Sequence, residues 1–167
     1  FLVLARLQDA PVPLRPEWCP ADDLVDEGLA PLQARLQTHE LQTRIDPDAI
    51  VWCDPRLLQQ VLFNLVDNAL AHTPAGTRIC VALDVHPGSC ELVVSDDGPG
   101  LPLGLDARVF GKFERGSIQA ENGKFGLGLA ICAAAVRLHG GTISAADAGG
   151  ACIRVAWPQP AVVPAPL

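Results

Sequence analysis

Residues 57–70, LLQQVLFNLVDNAL, most constrain what this chain can fold into, because an apolar segment of helical period carries Asn64 and Asn68 one turn apart. Residues four apart advance about 400° around a helix and share a face. Gln60, Asn64, Asn68 and His72 therefore form one polar stripe, while Leu58, Val61, Leu62, Leu65, Val66, Ala69 and Leu70 cover the rest. Such a helix is expected to be buried on most sides, where an unpaired amide costs about 1–3 kcal/mol. Something polar must face the stripe, either neighbouring backbone in a buried amide network or a ligand.

A chain of 167 residues, 49% of them hydrophobic, can fill one core and has little left for a second. Its net charge of -7 and its 12 scattered Lys and Arg residues lack the clustered basic footprint of a nucleic-acid surface, so no nucleic acid partner is expected. Cys19, Cys53, Cys80, Cys90, Cys132 and Cys152 are far apart and form no CxxC pair. They read as reduced core thiols rather than zinc ligands. No apolar run reaches the ~20 residues that span a bilayer and no leader-like segment opens the chain, so a soluble, cytoplasmic domain is expected. Residues 1–12 read as the end of a helix and a linker cut from a longer protein, residues 13–158 as the domain, and residues 159–167 as a proline-rich extended tail.

Punctuation along the chain predicts the elements. Pro20 with Ala21, Asp22 and Asp23 opens a helix running to Gln37 or Thr38. Extended segments follow at 40–45 and 50–53, and Asp54-Pro55 starts the striped helix as N-cap and first-turn proline. Thr73, Pro74 and Gly76 end it. Residues 77–85 and 90–95 form a hairpin through Pro87-Gly88, and residues 142–146 and 151–157 form another. Between them a helix over 126–138 is entered through Gly126-Leu127-Gly128. The order βαββαββ, loop, αββ predicts a two-layer α+β sandwich, with helices on one face of a mostly antiparallel sheet.

Three segments carry chemistry. Asp96-Asp97-Gly98-Pro99-Gly100 puts a carboxylate at a strand end before glycines that admit close approach of a ligand, or it is an ordinary Asp-Gly turn. Residues 123–128, GKFGLG, open a helix whose free N–H groups favour phosphate, or mark close packing at a helix start. Carboxamide oxygens on the stripe can bind a hard divalent cation, directly or through its waters, with phosphates as the other ligands.

Together these segments resemble the ATP-binding domain of sensor histidine kinases, in the superfamily shared with gyrase, Hsp90 and MutL. Gln60 to Ala69 (QVLFNLVDNA) is similar to the family's N box and Asp96-Asp-Gly98-Pro-Gly100-Leu-Pro to its G1 box. Phe110-Gly-Lys112-Phe113-Glu-Arg115-Gly116 is similar to its F box, and Gly126-Leu127-Gly128-Leu-Ala-Ile to its G2 box. Flanking segments, His139-Gly-Gly-Thr-Ile143 and Gly149-Gly-Ala-Cys-Ile-Arg154 among them, resemble the potassium-responsive members. The resemblance implies a Bergerat-type ATP-binding fold with three main helices on one face of the sheet, with ATP and Mg2+ as cofactors. It implies that Asn64 and Asn68 bind the metal, that Asp96 accepts from the adenine amino group, and that Arg115 contacts phosphate. His72, Gly98, Gly100, Lys112, Lys124, Gly126, Leu127 and Gly128 belong to the implied nucleotide site and its lid, residues 101–125. The implied partners are a dimerisation and phosphoacceptor domain of the same protein and, indirectly, a response regulator. The implied parent is a membrane-anchored homodimer.

Departures from the pattern sharpen the reading. Ala71 stands where many members carry Lys or Arg, and Lys124 stands at the first glycine of the G2 box, so Lys124 is expected to restore the missing cationic contact. Gln60 replaces the glutamate that activates water in the ATPase branches, and a neutral amide cannot take a proton. Phosphoryl transfer is therefore expected over hydrolysis, with Gln60, Asn64 and Arg115 as catalytic residues. None of His39, His72, His86 and His139 sits in a phosphoacceptor-like context. A superfamily ATPase and a catalytically weak nucleotide-sensing or protein-interaction module are the alternatives.

Overall fold

The computed structural model describes residues 13–101 and 123–161, with backbone alone over 123–127. β1 (Glu17–Pro20) leads directly into α1 (Ala21–Leu29), whose first turn carries Asp22 and Asp23 where the helix dipole favours negative charge. The sequence predicts one helix to residue 37 or 38. The chain instead forms a 3-10 turn, Ala30–Leu32, before α2 (Gln33–Leu36). Pro31 offers no N–H and its ring crowds the carbonyl four residues back, so the α-helix stops there.

β2 (Glu40–Ile45) and β3 (Ile50–Cys53) have the predicted bounds. β3 pairs with β1 in a separate antiparallel ribbon that sets Trp18 opposite Trp52, ring centroids 5.2 Å apart. The pattern assigns no residues to this opening strand, because Pro16 and Pro20 bracket it and mask its alternation. α3 (Pro55–His72) starts as predicted, with Asp54 Oδ1 accepting from the N–H groups of Arg56 and Leu57 at 3.2 and 3.4 Å. β4 (Arg78–His86) and β5 (Ser89–Asp96) form the first hairpin, turning at Gly88 with φ +84. α4 (Gly123–Leu138) begins before its predicted start at Gly126, the burial of its later turns outweighing the poor helix propensity of its glycines. β6 (Thr142–Asp147) and β7 (Ala151–Pro158) close the chain.

The main sheet has the order β2-β4-β5-β7-β6, with β2 parallel to β4 and every other pair antiparallel. One face presents Ile79, Val81, Leu92, Val94, Ile153 and Val155 to the helices, and α3 packs between α1 and α4 over it. This is the predicted two-layer α+β sandwich with a mixed, mostly antiparallel sheet. The six cysteines are unbonded, four of them buried. Burial pushes the Cys90 and Cys132 thiols up to about 12, which keeps them protonated and unreactive. No helix among the described residues is long and apolar enough to cross a membrane.

Two side chains lock the chain's far parts to the start of α3. Gln159, at the head of the expected tail, is buried and pairs with both backbone groups of Trp52, accepting from its N–H at 2.8 Å and donating to its carbonyl at 2.9 Å. His139 accepts from the Asp54 N–H through Nε2 at 3.0 Å and donates from Nδ1 to the Ala135 carbonyl at 2.7 Å. That pair of bonds requires a neutral ring. Burial lowers the His139 pKa below its ordinary value, outweighing the Ala135 carbonyl and the Asp54 charge that favour protonation. The unfolded chain then takes up a proton near pH ~6.5 that the folded chain refuses. Stability from His139 is complete above that pH and is lost as the pH falls below it toward the depressed folded value. The urea midpoint is accordingly expected to drop between about pH 7.5 and about pH 5.5, and to drop less in His139→Gln. Identical slopes for the two proteins would contradict this assignment.

Candidate functional site

The striped helix α3 keeps its polar row where the sequence places it, but inside the protein. Asn64 and Asn68 are 8% and 7% exposed, and both Nδ2 atoms are buried without a hydrogen-bond partner among the described residues. Neighbouring backbone therefore does not close an amide network around them. The facing residue on α4 is Gly128, where a Cβ would lie 3.7 Å from Asn68 Oδ1 and 3.8 Å from Asn64 Cβ. The missing side chain puts no group of its own between the α4 backbone and the carboxamides at the meeting of the two helices. One turn farther along α4, the buried Cys132 thiol donates to the Val61 carbonyl at 3.6 Å and lies against the Asn64 carboxamide. No group of three or more His, Cys, Asp or Glu lies together among the described residues. The donors here are amides, which suit a hard cation that brings its own waters or phosphates.

A small cleft, open to solvent, begins at Asn68. Its walls are apolar, with Leu65 and Ala69 from α3, Val94 from β5, and Leu101, Ala151 and Ile153 opposite. Its polar groups are Asn68, His72, Thr73 and Asp96. The Asp96 carboxylate is anchored on one side only. Its Oδ1 accepts from the Gly98 N–H at 2.9 Å and from the Ala151 N–H at 3.3 Å, and Oδ2 has no partner among the described residues. Burial lowers the His72 pKa against the opposing charge of Asp67, so its ring is neutral at neutral pH.

Glycines allow this crowding. Gly150 has φ +141, and a Cβ there would run into the Asp96 carbonyl oxygen, so only glycine lets the β6–β7 turn close on the strand end. Gly100, at φ +95, lies against the Asp147 carboxylate. A Cβ on Gly98 would come 2.8 Å from Thr73 Cγ2.

Of the residues singled out by sequence, Asn68, His72, Asp96 and Gly100 line the cleft, Gly98 adjoins it, and Asn64 and Gly128 flank its Asn68 end. Gln60 is half-buried, one turn back along α3 and outside the cleft lining. Lys124, Gly126 and Leu127 lie in the opening turns of α4. Lys112, Arg115 and the side chains of Lys124 and Leu127 lie outside the described residues. Sequence reasoning missed Thr73, which it read only as a helix stop, and Gly150 and Ala151, whose one signal is the Gly149-Gly150 pair.

Comparison with known proteins agrees with this geometry. Residues 53–161 match the family described as histidine kinase-, DNA gyrase B-, and HSP90-like ATPase. The sensor protein KdpD of Escherichia coli is 38% identical over 95% of this chain, which spans 18% of that protein. The solved structure of the mycobacterial sensor histidine kinase MprB superposes with a TM-score of 0.69 at 31% identity, covering 87% of this chain and 98% of that one. Full-length ShkA, solved in complex with AMPPNP, superposes with a TM-score of 0.81 at 26% identity, covering 99% of this chain and 35% of that one. The chain belongs to the histidine kinase-, DNA gyrase B- and HSP90-like ATPase family, as an ATP-binding domain of the sensor histidine kinase branch.

Proposed function

We propose that this chain binds ATP with Mg2+ and positions the γ-phosphoryl group for transfer to a histidine on a dimerisation domain of the same protein. The carrying observation is the pair of buried carboxamides, Asn64 and Asn68, whose Nδ2 atoms have no partner among the described residues, facing Gly128 beside a cleft that also holds a half-anchored carboxylate. In this reading Asn64 and Asn68 hold the metal, which supplies charge neutralisation at the phosphates. The free Asp96 oxygen accepts from the adenine amino group, between apolar walls that take the flat ring. Arg115, Lys112 and Lys124 contact phosphate, while Gly126, Leu127 and Gly128 shape the phosphate end. Gln60 is a neutral amide and cannot activate water, so rate enhancement rests on orientation rather than on a general base. Likeness to KdpD supports a place in potassium signalling, in the cytoplasmic part of a dimeric, membrane-anchored sensor that addresses a response regulator.

Titration with ATP is expected to show binding at least about 10-fold tighter with Mg2+ than without. Binding indifferent to the metal would overturn the reading. Asn68→Leu removes an unpaired buried amide, so the variant is expected to be as stable as the parent or up to about 2 kcal/mol more stable, while losing the metal dependence. Chemical denaturation and calorimetry on one sample check both halves.

Mixing the chain with a separately made phosphoacceptor domain and labelled Mg-ATP is expected to yield phosphohistidine. Release of free phosphate would favour an ATPase, and neither product a nucleotide-sensing module. Lys124→Ala is expected to weaken ATP binding well beyond ADP binding, and equal losses would remove Lys124 from the γ-phosphate end.

A further inference from the structure

The geometry points to His39 as a positioning residue for the base end of the cleft, acting through Thr73. This rests on the nucleotide reading above and adds a residue to it from outside the cleft and outside every motif. Thr73 Oγ1 donates to the Ala69 carbonyl at 2.6 Å, which commits its only proton. His39 Nε2 lies 2.8 Å from the same oxygen, so the ring must be the donor there. On the other side, Thr38 Oγ1 lies 2.8 Å from both His39 Nδ1 and the Arg35 carbonyl. The one Thr38 hydroxyl proton serves either the Arg35 carbonyl or Nδ1; with a neutral ring donating to Thr73 it turns to Nδ1, and the Arg35 carbonyl keeps the Thr38 N–H at 3.3 Å. The network thus closes with Nε2–H facing Thr73. A ring protonated at both nitrogens keeps the same bond, since Nδ1–H then donates to Thr38 Oγ1.

The two bonds fix the Thr73 side chain. Thr73 stands just past the end of α3 in extended conformation, where a threonine side chain has more than one rotamer open to it. With Oγ1 held between Ala69 and His39, Cγ2 is directed at Gly98, where even an added Cβ would stand only 2.8 Å away. Gly98 in turn gives its N–H to Asp96 Oδ1, on a carboxylate whose Oδ2 has no partner among the described residues. His39 therefore sets the wall against which the Asp96 turn rests. Backbone bonds from Gly76 N–H to Thr38 O and from Glu40 N–H to Thr77 O hold this corner independently, so the fold survives loss of the ring.

The test compares His39→Phe, His39→Gln and His39→Asn in the full chain. A glutamine amide reaches the place of Nε2 and an asparagine amide only that of Nδ1. His39→Phe is expected to weaken ATP, ADP and AMP binding alike, by about 3- to 10-fold. His39→Gln is expected to restore it and His39→Asn is not. His39→Phe combined with Thr73→Val should lose no more than the larger single loss. Unchanged affinity in His39→Phe, equal rescue by Asn, or additive losses would overturn the assignment. A readout without nucleotide separates this failure from failure of the nucleotide reading: the Gly98 amide resonance is expected to shift in His39→Phe and return in His39→Gln. A Gly98 resonance that does not move overturns the role of His39 even if the chain binds no nucleotide.

Discussion

The desolvation of α3 is the constraint on which the rest of the structure depends. Packed between α1 and α4 over the sheet, the helix buries Leu58, Val61, Leu62, Leu65 and Val66 to 1% exposure or less. Each such side chain contributes roughly 1.5–3 kcal/mol of transfer free energy. The same burial carries two carboxamides away from water. The apolar face holds the helix firmly enough to keep Asn64 and Asn68 in a position that costs free energy in the absence of a ligand. Rigid placement of unsatisfied groups is what a binding site requires, since the ligand then need not compete with an internal partner.

The opposite end of the cleft uses another principle. Asp96 is satisfied on Oδ1 by two backbone donors, one of them Ala151 at a distance of 55 residues in sequence. A carboxylate held this way cannot rotate without losing both bonds, so the free oxygen has a fixed direction. Gly150 is what brings β7 close enough to donate. The carboxylate end is thus assembled from the ends of β5, α3 and β7, three stretches far apart in the chain.

That assembly explains which parts were legible in the sequence. Strand bounds at 40–45 and 50–53, the Asp54 cap and both main-sheet hairpins rest on local signals, and the chain follows them. The Asn64 and Asn68 stripe was legible because helical period alone puts both on one face. The break at Pro31 also had a local cause, underweighted against the apolar period around it. Thr73 was visible only as a helix stop, because its methyl meets Gly98 and its hydroxyl meets His39 only after three elements converge. Ala151 carries no side-chain signal at all, as its contribution is a backbone N–H.

A site divided in this manner also separates what each end can discriminate. An acceptor with a fixed direction, set in an apolar slot, favours a ring that presents a donor and penalises one that presents a carbonyl there. The unmet hydrogen bond and the facing oxygens together cost far more than a missing methylene. A pair of carboxamides discriminates poorly by charge, since neither carries any, and on the proposed reading acts through geometry and through a cation shared with an anionic ligand. On the proposed reading, selectivity for the base resides in the turn held by Thr73, Gly98 and Ala151, and affinity for the phosphate end in the metal.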